Sequence, residues 1–509
     1  MSSIPDATCE ESSKIQIEFS PLVLESAALK LFQDMSKQQI SYCIWKSIDR
    51  FEEGVRGETD FDLLVAEGHL NRLRSFLSDQ QWIELRAERW RSFPGIYDFV
   101  CYDRNFGRFL HLHVHTQIIT GAERIKSIVL PVAELYLKHT SELHGVVYVA
   151  PELEFVSFIL RTARKFSILK HSMRLLAGRG NLLDKFVFEY EFIKQRTSRD
   201  AVQKVLEQAG LAFVPNGVVM RAFDDLHTLN STARAEINHA LRPYQRYSTD
   251  QRTLLKIIRF VQRRLEGCGK YSTHALPNFA VIGPDGSGKS TLVRNLVTNL
   301  SQHLRVRRVY MGGSQRSCGP ARRLLRLTIF PCVALLRRAL ELLNLPHLSK
   351  NLRRSYYALE QRLILAEKQS RYRAAKKAQT RGELVLFERF PLFDGYGDAA
   401  PDRTHDGQPL ESPLQIQYAK FNRPDVLIAL SVSEELALKR KNDSAHISSE
   451  LANKVKAFEQ YYSTHKEDNE GNILVLDTSM EKQSTLDAAL QHIWSNISSV
   501  VAAANADTS

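Results

Sequence analysis

The stretch Phe279-Ala-Val-Ile-Gly283-Pro-Asp-Gly-Ser-Gly288-Lys289-Ser290 joins an apolar run to a glycine-rich turn, and an amphipathic segment from residue 291 to 300 follows it. This order predicts a buried strand, a loop and the start of a helix. Glycines let successive backbone N–H groups turn inward, and a helix N-terminus adds partial positive charge. Such a loop is therefore suited to holding phosphate groups.

The loop predicts a site for ATP and Mg²⁺. Its backbone would surround the phosphates, Lys289 would reach the β and γ oxygens, and Ser290 would ligate Mg²⁺. The alternative is an unliganded structural turn, but so complete a match is rare by chance. The predicted cofactor-binding residues are Gly283, Gly286, Ser287, Gly288, Lys289, Ser290 and Thr291.

Length and composition bound the class of protein. The chain has 509 residues, 43% of them hydrophobic and 25% charged, which is too long for one core, so we expect two or three domains. Six scattered cysteines form no Cys-x-x-Cys pair, which argues against a disulfide framework. No stretch approaches the ~20 apolar residues that span a bilayer. We expect a cytoplasmic protein, soluble or peripherally attached to a membrane.

The formal net charge of +12 is concentrated in one segment. Residues 316–377 hold eleven Arg and four Lys against three Glu, a surplus equal to that of the whole chain. The apolar run Leu327 to Leu336 within it is broken by Pro331. Three interpretations stay open: a helical lid for an anionic substrate, a peripheral membrane contact, and a solvated face over a buried apolar stripe. Nucleic-acid binding is not expected, because no groove-reading or single-strand motif accompanies the tyrosines.

Glycines and a proline between residues 266 and 277 interrupt a helical pattern and predict the main domain boundary near residue 270. Residues 1–150 are predicted to form an α+β domain, residues 151–270 a helical extension and linker, and residues 271–509 an α/β domain with a parallel sheet. The predicted strands are 40–45, 61–65, 96–102, 109–115, 279–282, 306–311, 384–387, 426–430 and 473–476.

An acidic residue is expected at the end of a second strand of the α/β domain. Glu388 and Arg389 stand there, in Leu384-Val-Leu-Phe-Glu-Arg-Phe390. Glu388 would hold a Mg²⁺-bound water, and Arg389 would neutralise the anion of the acceptor. The Glu-Arg-Phe segment resembles the Asp-Arg-Tyr/Phe element of the thymidylate kinase family. The resemblance covers residues 276–500 and includes 423–430 and 433–441.

This resemblance implies a P-loop NTPase fold, like that of nucleoside monophosphate kinases, and phosphoryl transfer from ATP. It implies further that Asp285 faces the acceptor, that Arg440 and Lys441 belong to a lid over the phosphates, and that residues 477–479 contact adenine. A solvated helix end is the alternative for Arg440 and Lys441. The catalytic residues are predicted to be Lys289, Asp285, Glu388, Arg389 and Arg440, with Ser290 and Glu388 as metal ligands.

Two departures from that family leave the acceptor open. Residues 312–316 read Gly-Gly-Ser-Gln-Arg, where the family carries an Arg-Glu-Pro-Gly-Gly type stretch that grips the thymidylate phosphate. Glu388 also replaces the family's Asp. Two kinds of acceptor stay open. One is a nucleoside monophosphate, and the other is a sugar or glycan, the latter because proteins that join such a domain to a second one resemble ones associated with bacterial surface polysaccharide synthesis. Residues 394–410 form either a mobile loop over the acceptor or an ordinary surface loop.

The N-terminal domain has its own motif, Trp45-Lys-Ser47 followed by Arg56-Gly-Glu-Thr-Asp60-Phe-Asp62-Leu-Leu-Val65. Asp60 and Asp62 share one strand face and are predicted to bind one divalent cation that carries a nucleoside triphosphate. The motif resembles that of an uncharacterised bacterial nucleotidyltransferase-like family, and the resemblance covers about residues 20–245. His111 aligns with that family's third acid, so activity at this site stays open.

Three histidines, His111, His113 and His115, alternate on a predicted strand and would line one of its faces. They are either ligands of a transition metal or a satisfied structural cluster. The sequence shows no carboxylate or cysteine partner near them, which favours the structural interpretation.

Three functional hypotheses follow for the whole chain. The first is ATP-dependent phosphoryl transfer by residues 271–509. The second is nucleotidyl transfer by Asp60 and Asp62, with the P-loop domain as a nucleotide sensor. The third is a non-catalytic regulator that binds nucleotide and controls a partner.

Overall fold

The computed structural model describes residues 20–121, 125–165, 183–266, 269–312, 319–391, 421–441 and 472–506. The protein is mixed α/β and divides into two compact units, Met1–Cys268 and Gly269–Ser509, here named the first and the second unit. The predicted insertion at 394–410 and the stretch 313–316 lie outside the described residues.

The first unit contains two sheets and a run of helices. Its strands are β1 (Tyr42–Ile44), β2 (Phe61–Val65), β3 (Ile83–Arg86), β4 (Ile96–Asp103), β5 (Arg108–His115), β6 (Ile118–Thr120), β7 (Ile128–Leu130), β8 (Thr140–Leu143) and β9 (Val146–Val149). Its helices are α1 (Pro21–Leu24), α2 (Ala27–Lys37), α3 (Phe51–Val55), α4 (Leu70–Asp79), α5 (Ala133–Lys138), α6 (Pro151–Lys165), α7 (Val187–Gln195), α8 (Arg199–Leu206), α9 (Asn216–Asp224), α10 (Ser231–Ala240) and α11 (Thr249–Glu266).

The main sheet of the first unit runs in the order β3-β4-β5-β2-β1-β9-β8, and β6 pairs with β7 separately. Alternate residues of its strands enter two different cores, as the strand period of two requires. Cys43 and Leu64 pack with α6 and the helices after it. Ile44 and Leu63 pack instead with α2, α3 and α4. The helices after residue 151 therefore share a core with the sheet.

The second unit contains a five-stranded parallel sheet and helices. The strands of this sheet are β11 (Phe279–Ile282), β12 (Val306–Tyr310), β13 (Leu384–Glu388), β14 (Val426–Ser431) and β15 (Ile473–Asp477), and the short strand β10 (Tyr271–Ser272) lies outside it. Its helices are α12 (Lys289–Leu300), α13 (Pro320–Leu342), α14 (Pro346–Gln379), α15 (Glu434–Lys441) and α16 (Lys482–Ala506). The sheet order is β12-β13-β11-β14-β15.

The buried strand β11 lies at the centre of this sheet, in parallel register with β13 on one side and β14 on the other. Connections from β11 and β13 therefore leave the sheet at the same edge, side by side. That edge of an open parallel sheet is where ligands generally bind. This parallel arrangement places the glycine-rich loop, which follows β11, next to Glu388, the last residue of β13.

All nine predicted strands are present, with ends shifted by at most two residues, and 61–65 and 279–282 are confirmed residue for residue. The strands β3 and β6 to β10 were not predicted, because they are short or mix polar with apolar residues.

The prediction of a break at Pro331 is wrong, since α13 continues through it. A proline in a helix removes one backbone hydrogen bond and crowds the carbonyl four residues earlier. Packing on α14, with ion pairs such as Arg326–Glu360, offsets this cost in α13. The interpretation of the basic segment 316–377 as a solvated face over a buried apolar stripe does not fit the structure either. Arg322 is buried against Glu367, whereas Leu327 and Leu335 are more than 70% exposed.

Candidate functional site

The glycine-rich loop has a positive φ at each of its three glycines. Gly286 and Gly288 have φ of +84° and +86°, in the left-handed region that side chains disfavour. A Cβ on Gly286 would lie 2.8 Å from the carbonyl oxygen of Ala437 in α15, whereas a Cβ on Gly288 would meet no atom of the described residues within 4 Å. Among those residues, the loop is thus packed against α15 at Gly286 and open at Gly288, where α12 begins.

Lys289 is the first residue of α12 and is only 5% exposed. Its ammonium donates hydrogen bonds to the carbonyl oxygens of Gly283 and Pro284, at 2.7 and 2.6 Å. The side chain therefore folds along the loop and places a positive charge within it. Beside it, the hydroxyl of Ser287 is buried with no hydrogen-bond partner among the described residues. Thr291 is exposed, and its backbone N–H donates to the carbonyl of Gly288.

Glu388 connects the loop to the neighbouring strand. The Ser290 hydroxyl donates to its Oε1 at 2.6 Å, and the Arg308 guanidinium on β12 donates to its Oε2 at 2.5 and 2.9 Å. Glu388 itself is 1% exposed. A hydroxyl and a carboxylate oxygen side by side form the kind of donor set that Mg²⁺ prefers. These two predicted metal ligands therefore fit the ion.

Asp285 and Arg389 form a second link across the same edge, with Nη2 of Arg389 2.8 Å from Oδ1 of Asp285. Arg389 has a φ of +59°, which is unusual for a residue other than glycine. Such a conformation costs on the order of 1–3 kcal/mol and persists where the surroundings impose it. The residue with this strained backbone directly follows Glu388, the predicted metal ligand.

Arg440 lies one turn beyond Ala437 in α15 and donates to the carbonyl and hydroxyl oxygens of Thr478, at 2.7 and 3.3 Å. The neighbouring Asp477 accepts hydrogen bonds from the backbone and hydroxyl of Ser479, which lower the pKa of its carboxyl. The lid candidate and the segment predicted to contact adenine are thus in direct contact. The side chain of Lys441 lies outside the described residues.

The first unit contains a separate cluster of acids and histidines between β2, β4 and β5. His111 lies between two carboxylates, with Nδ1 2.5 Å from Asp60 and Nε2 2.9 Å from Asp98. Asp98 is opposite His113 in the β4–β5 pairing. The sequence-based statement that the histidines have no carboxylate partner nearby is therefore wrong, and Asp98 adds a third carboxylate beside His111.

Asp62 is the centre of the other half of this cluster. Its Oδ1 lies 2.7 Å from the Lys46 ammonium, 3.1 Å from Nδ1 of His113 and 3.6 Å from Nε2 of His115. Burial disfavours ionisation of Asp62, but Lys46 and the two histidines hold the pKa of its carboxyl well below the usual value. Burial also lowers the pKa of His113, and lowers that of His115 to about 3. At neutral pH the cluster contains an anionic carboxylate and two neutral imidazoles.

Sequence analysis missed Asp98 and Arg308. Asp98 was detectable: β4 and β5 flank the turn Arg104-Asn-Phe-Gly107, and hairpin pairing across that turn places residue 98 opposite His113. The signal for Arg308 was a polar pair, Arg307 and Arg308, within a strand that precedes the acidic one.

No family model matches the chain. The chain is similar to the uncharacterized ATP-binding protein YghR of Escherichia coli K12, with 28% identity over 200 residues that make up 36% of this chain and 77% of that protein. The protein of the same name from E. coli O6:H1 matches to the same extent.

Among solved structures, M. mycoides deoxyadenosine kinase with bound dATP is 16% identical, with a TM-score of 0.25, over 42% of this chain and 97% of that one. A second structure of that kinase, with its products dCMP and dCDP, is also 16% identical, with a TM-score of 0.26, over 43% of this chain and 99% of that one.

Within the described ranges, none of the helices is both long and apolar enough to span a bilayer.

Proposed function

We propose that the second unit is an ATP-dependent phosphotransferase of the thymidylate kinase-like type. The observation that carries this proposal is the contact between Ser290, at the end of the glycine-rich loop, and Glu388, at the end of the adjacent parallel strand. Phosphoryl transfer depends mainly on positioning and on stabilising charge, and this edge of the sheet offers both. The similarity to a protein named as ATP-binding supports the same conclusion.

In this proposal each residue has one task at the phosphates. Backbone N–H groups from Gly286 to Lys289 bind phosphate oxygens, and the Lys289 ammonium adds charge within the loop. Ser290 and Glu388 hold Mg²⁺, which when bound neutralises charge on the β and γ oxygens. Arg308 fixes Oε2 of Glu388, so that Oε1 stays directed towards Ser290.

The acceptor is assigned to the side of the loop where Asp285 and Arg389 meet. A carboxylate accepts a hydrogen bond from a hydroxyl group, and a guanidinium binds an anion. The pair therefore suits an acceptor that offers both, such as a nucleoside monophosphate or a phosphorylated sugar or glycan. In this proposal Arg440, which donates to the carbonyl of Thr478, stabilises charge during transfer.

A coupled assay of ADP formation tests this proposal. The full-length protein with Mg-ATP is offered thymidylate, other nucleoside monophosphates and sugar phosphates in turn. ADP release that depends on one acceptor, and is lost in Glu388→Gln, supports phosphoryl transfer and names the acceptor class. ADP release at the same rate in Glu388→Gln would contradict the assigned site.

A second candidate function is nucleotidyl transfer in the first unit. It is favoured by Asp98, which adds a third carboxylate to the cluster that contains Asp60 and Asp62. This activity releases pyrophosphate rather than ADP, and it would be lost in Asp62→Asn but kept in Lys289→Ala. Tight ATP binding with no turnover of either kind would indicate the third hypothesis, a nucleotide-binding regulator.

The basic helix pair α13–α14 is proposed as a peripheral contact with an anionic membrane surface. Exposed leucines on α13, including Leu327 and Leu335, accompany the exposed Arg323. Apolar side chains beside cationic ones are the features that interfacial helices use.

A further inference from the structure

Three potential ligand atoms converge in the first unit. Oδ1 of Asp62, Nδ1 of His113 and Nε2 of His115 belong to a group whose ligand atoms all lie within 4.8 Å of one another. Asp62 comes from β2, and the two histidines come from the adjacent parallel strand β5. The register of the two strands, with Asp62 beside His113, creates this convergence.

The separations of these atoms match a tetrahedral metal centre. Tetrahedral coordination with bonds of about 2.0–2.1 Å places ligand atoms roughly 3.3–3.4 Å apart. The three sides of the observed triangle are 3.1 Å from Asp62 to His113, 3.6 Å from Asp62 to His115, and 3.4 Å from His113 to His115. The side chains would need to move by only a few tenths of an ångström.

The donor types select the kind of metal. Two imidazole nitrogens and one carboxylate oxygen are typical of zinc sites that leave one position open, whereas Mg²⁺ prefers oxygen donors alone. We propose that Asp62, His113 and His115 form a binding site for Zn²⁺ or a similar transition-metal ion. This site is separate from the oxygen-donor site proposed at Ser290 and Glu388.

The surroundings of the three side chains suit a bound ion. The Trp45 ring packs edge-on against His115 at 5.2 Å and fixes its orientation. His113 is 20% exposed, which gives an ion a route to the cluster.

Lys46 is the competing cation. Its ammonium lies 2.7 Å from the same Asp62 oxygen, and Lys126 adds further positive charge nearby. Burial and Lys46 lower the pKa of Lys126 to about 8. A metal ion at Asp62 must therefore displace or redirect Lys46. It follows that removing the Lys46 charge strengthens metal binding, which a purely structural cluster would not show.

The test uses the full-length protein after treatment with EDTA. Zn²⁺ is titrated by calorimetry in excess Mg²⁺, which occupies the oxygen-donor site, and Co²⁺ is added separately to read its visible absorption. We expect one high-affinity Zn²⁺ per chain and an intense tetrahedral Co²⁺ spectrum. His113→Gln should weaken binding by more than the roughly 10–100-fold that loss of a supporting hydrogen bond costs.

Two further variants complete the design. Lys46→Met should bind Zn²⁺ severalfold more tightly, and His227→Gln, which changes an exposed histidine far along the chain, should bind as the wild type does. His113 is chosen over the buried His115 because its replacement disturbs the core less. Absence of stoichiometric binding, equal affinity in His113→Gln, or a weak octahedral Co²⁺ spectrum would overturn the proposal.

Discussion

Replacing Gly286 by alanine should damage the glycine-rich loop more than the same change at Gly288. Both residues have a φ close to +85°, so each alanine carries the same left-handed penalty of roughly 1–2 kcal/mol. The methyl on Gly286 would lie 2.8 Å from the Ala437 carbonyl oxygen and 3.2 Å from the Ala437 Cα, whereas the methyl on Gly288 would meet no described residue within 4 Å.

The size of the difference follows from that contact. Relieving it requires a backbone shift of the loop or of α15, and overpacking of this kind costs about 1–3 kcal/mol. We therefore expect Gly288→Ala to lower local stability by about 1–2 kcal/mol and Gly286→Ala by about 2–5 kcal/mol. Gly288→Ala should nevertheless weaken ATP binding strongly, because its methyl enters the open side of the loop where phosphates are proposed to lie.

Native-state hydrogen exchange read by mass spectrometry measures the opening free energy of each segment separately. Peptides covering 279–300 and 434–441 report on the loop and on α15, and calorimetry gives the ATP affinity of each variant. Equal loss of protection in the two variants would refute the packing of α15 on Gly286. Unchanged ATP affinity in Gly288→Ala would refute the position assigned to the phosphates.

Three further predictions concern other parts of the chain. Glu388→Gln should lower the rate of ADP formation by roughly 10²–10³-fold. The control Glu383→Gln changes another buried glutamate that pairs with arginine, and it should keep the rate within a few fold of the wild-type rate. Equal losses in both variants would indicate a structural effect. Burial raises the pKa of Glu154 from 4.5 to about 7 despite its pairing with arginine, so the folded state retains a proton that the unfolded chain has released. The contribution of Glu154 to the free energy of unfolding therefore falls as pH rises from about 4.5 to 7. Urea midpoints measured at pH 5 and pH 8 should show the wild type losing stability relative to Glu154→Gln. The same difference in midpoint at both pH values would contradict the raised pKa. The double substitution of Leu327 and Leu335 by Asp should abolish sedimentation with anionic vesicles, and no binding by the wild type would refute the membrane contact.

The parts of the fold that sequence analysis predicted well are those with an uninterrupted local signal. Residues 279–282 are wholly apolar and end at a glycine-rich loop, and residues 61–65 are apolar apart from Asp62, so their strands were placed without error. Hydrophobic period and turn residues act over a few positions, which a single sequence displays. By contrast, β8 and β9 have only four residues each and β8 is mostly polar, so that it is their pairing that defines them.

The candidate sites depend on long-range contacts to different degrees. The Ser290–Glu388 contact spans almost a hundred residues, yet it was predictable because parallel strands bring their ends to one edge. The Asp98–His111 contact was not predicted, because it depends on the register of the β4–β5 hairpin. A shift of one residue in that register would turn Asp98 to the opposite face. The four-residue turn between β4 and β5 sets this register, and the sequence-based prediction did not follow the pairing across that turn.

We propose that the second unit transfers the γ-phosphoryl group of ATP. Phosphorus NMR tests this most directly, by following all phosphorus species when Mg-ATP and thymidylate, or the acceptor found in the ADP assay, are mixed with the full-length protein. We expect ADP and a phosphorylated acceptor in equal amounts, with turnover abolished in Lys289→Ala and retained in Lys377→Ala, which removes an exposed lysine. Pyrophosphate in place of ADP, or a product that forms equally well in Lys289→Ala, would contradict it.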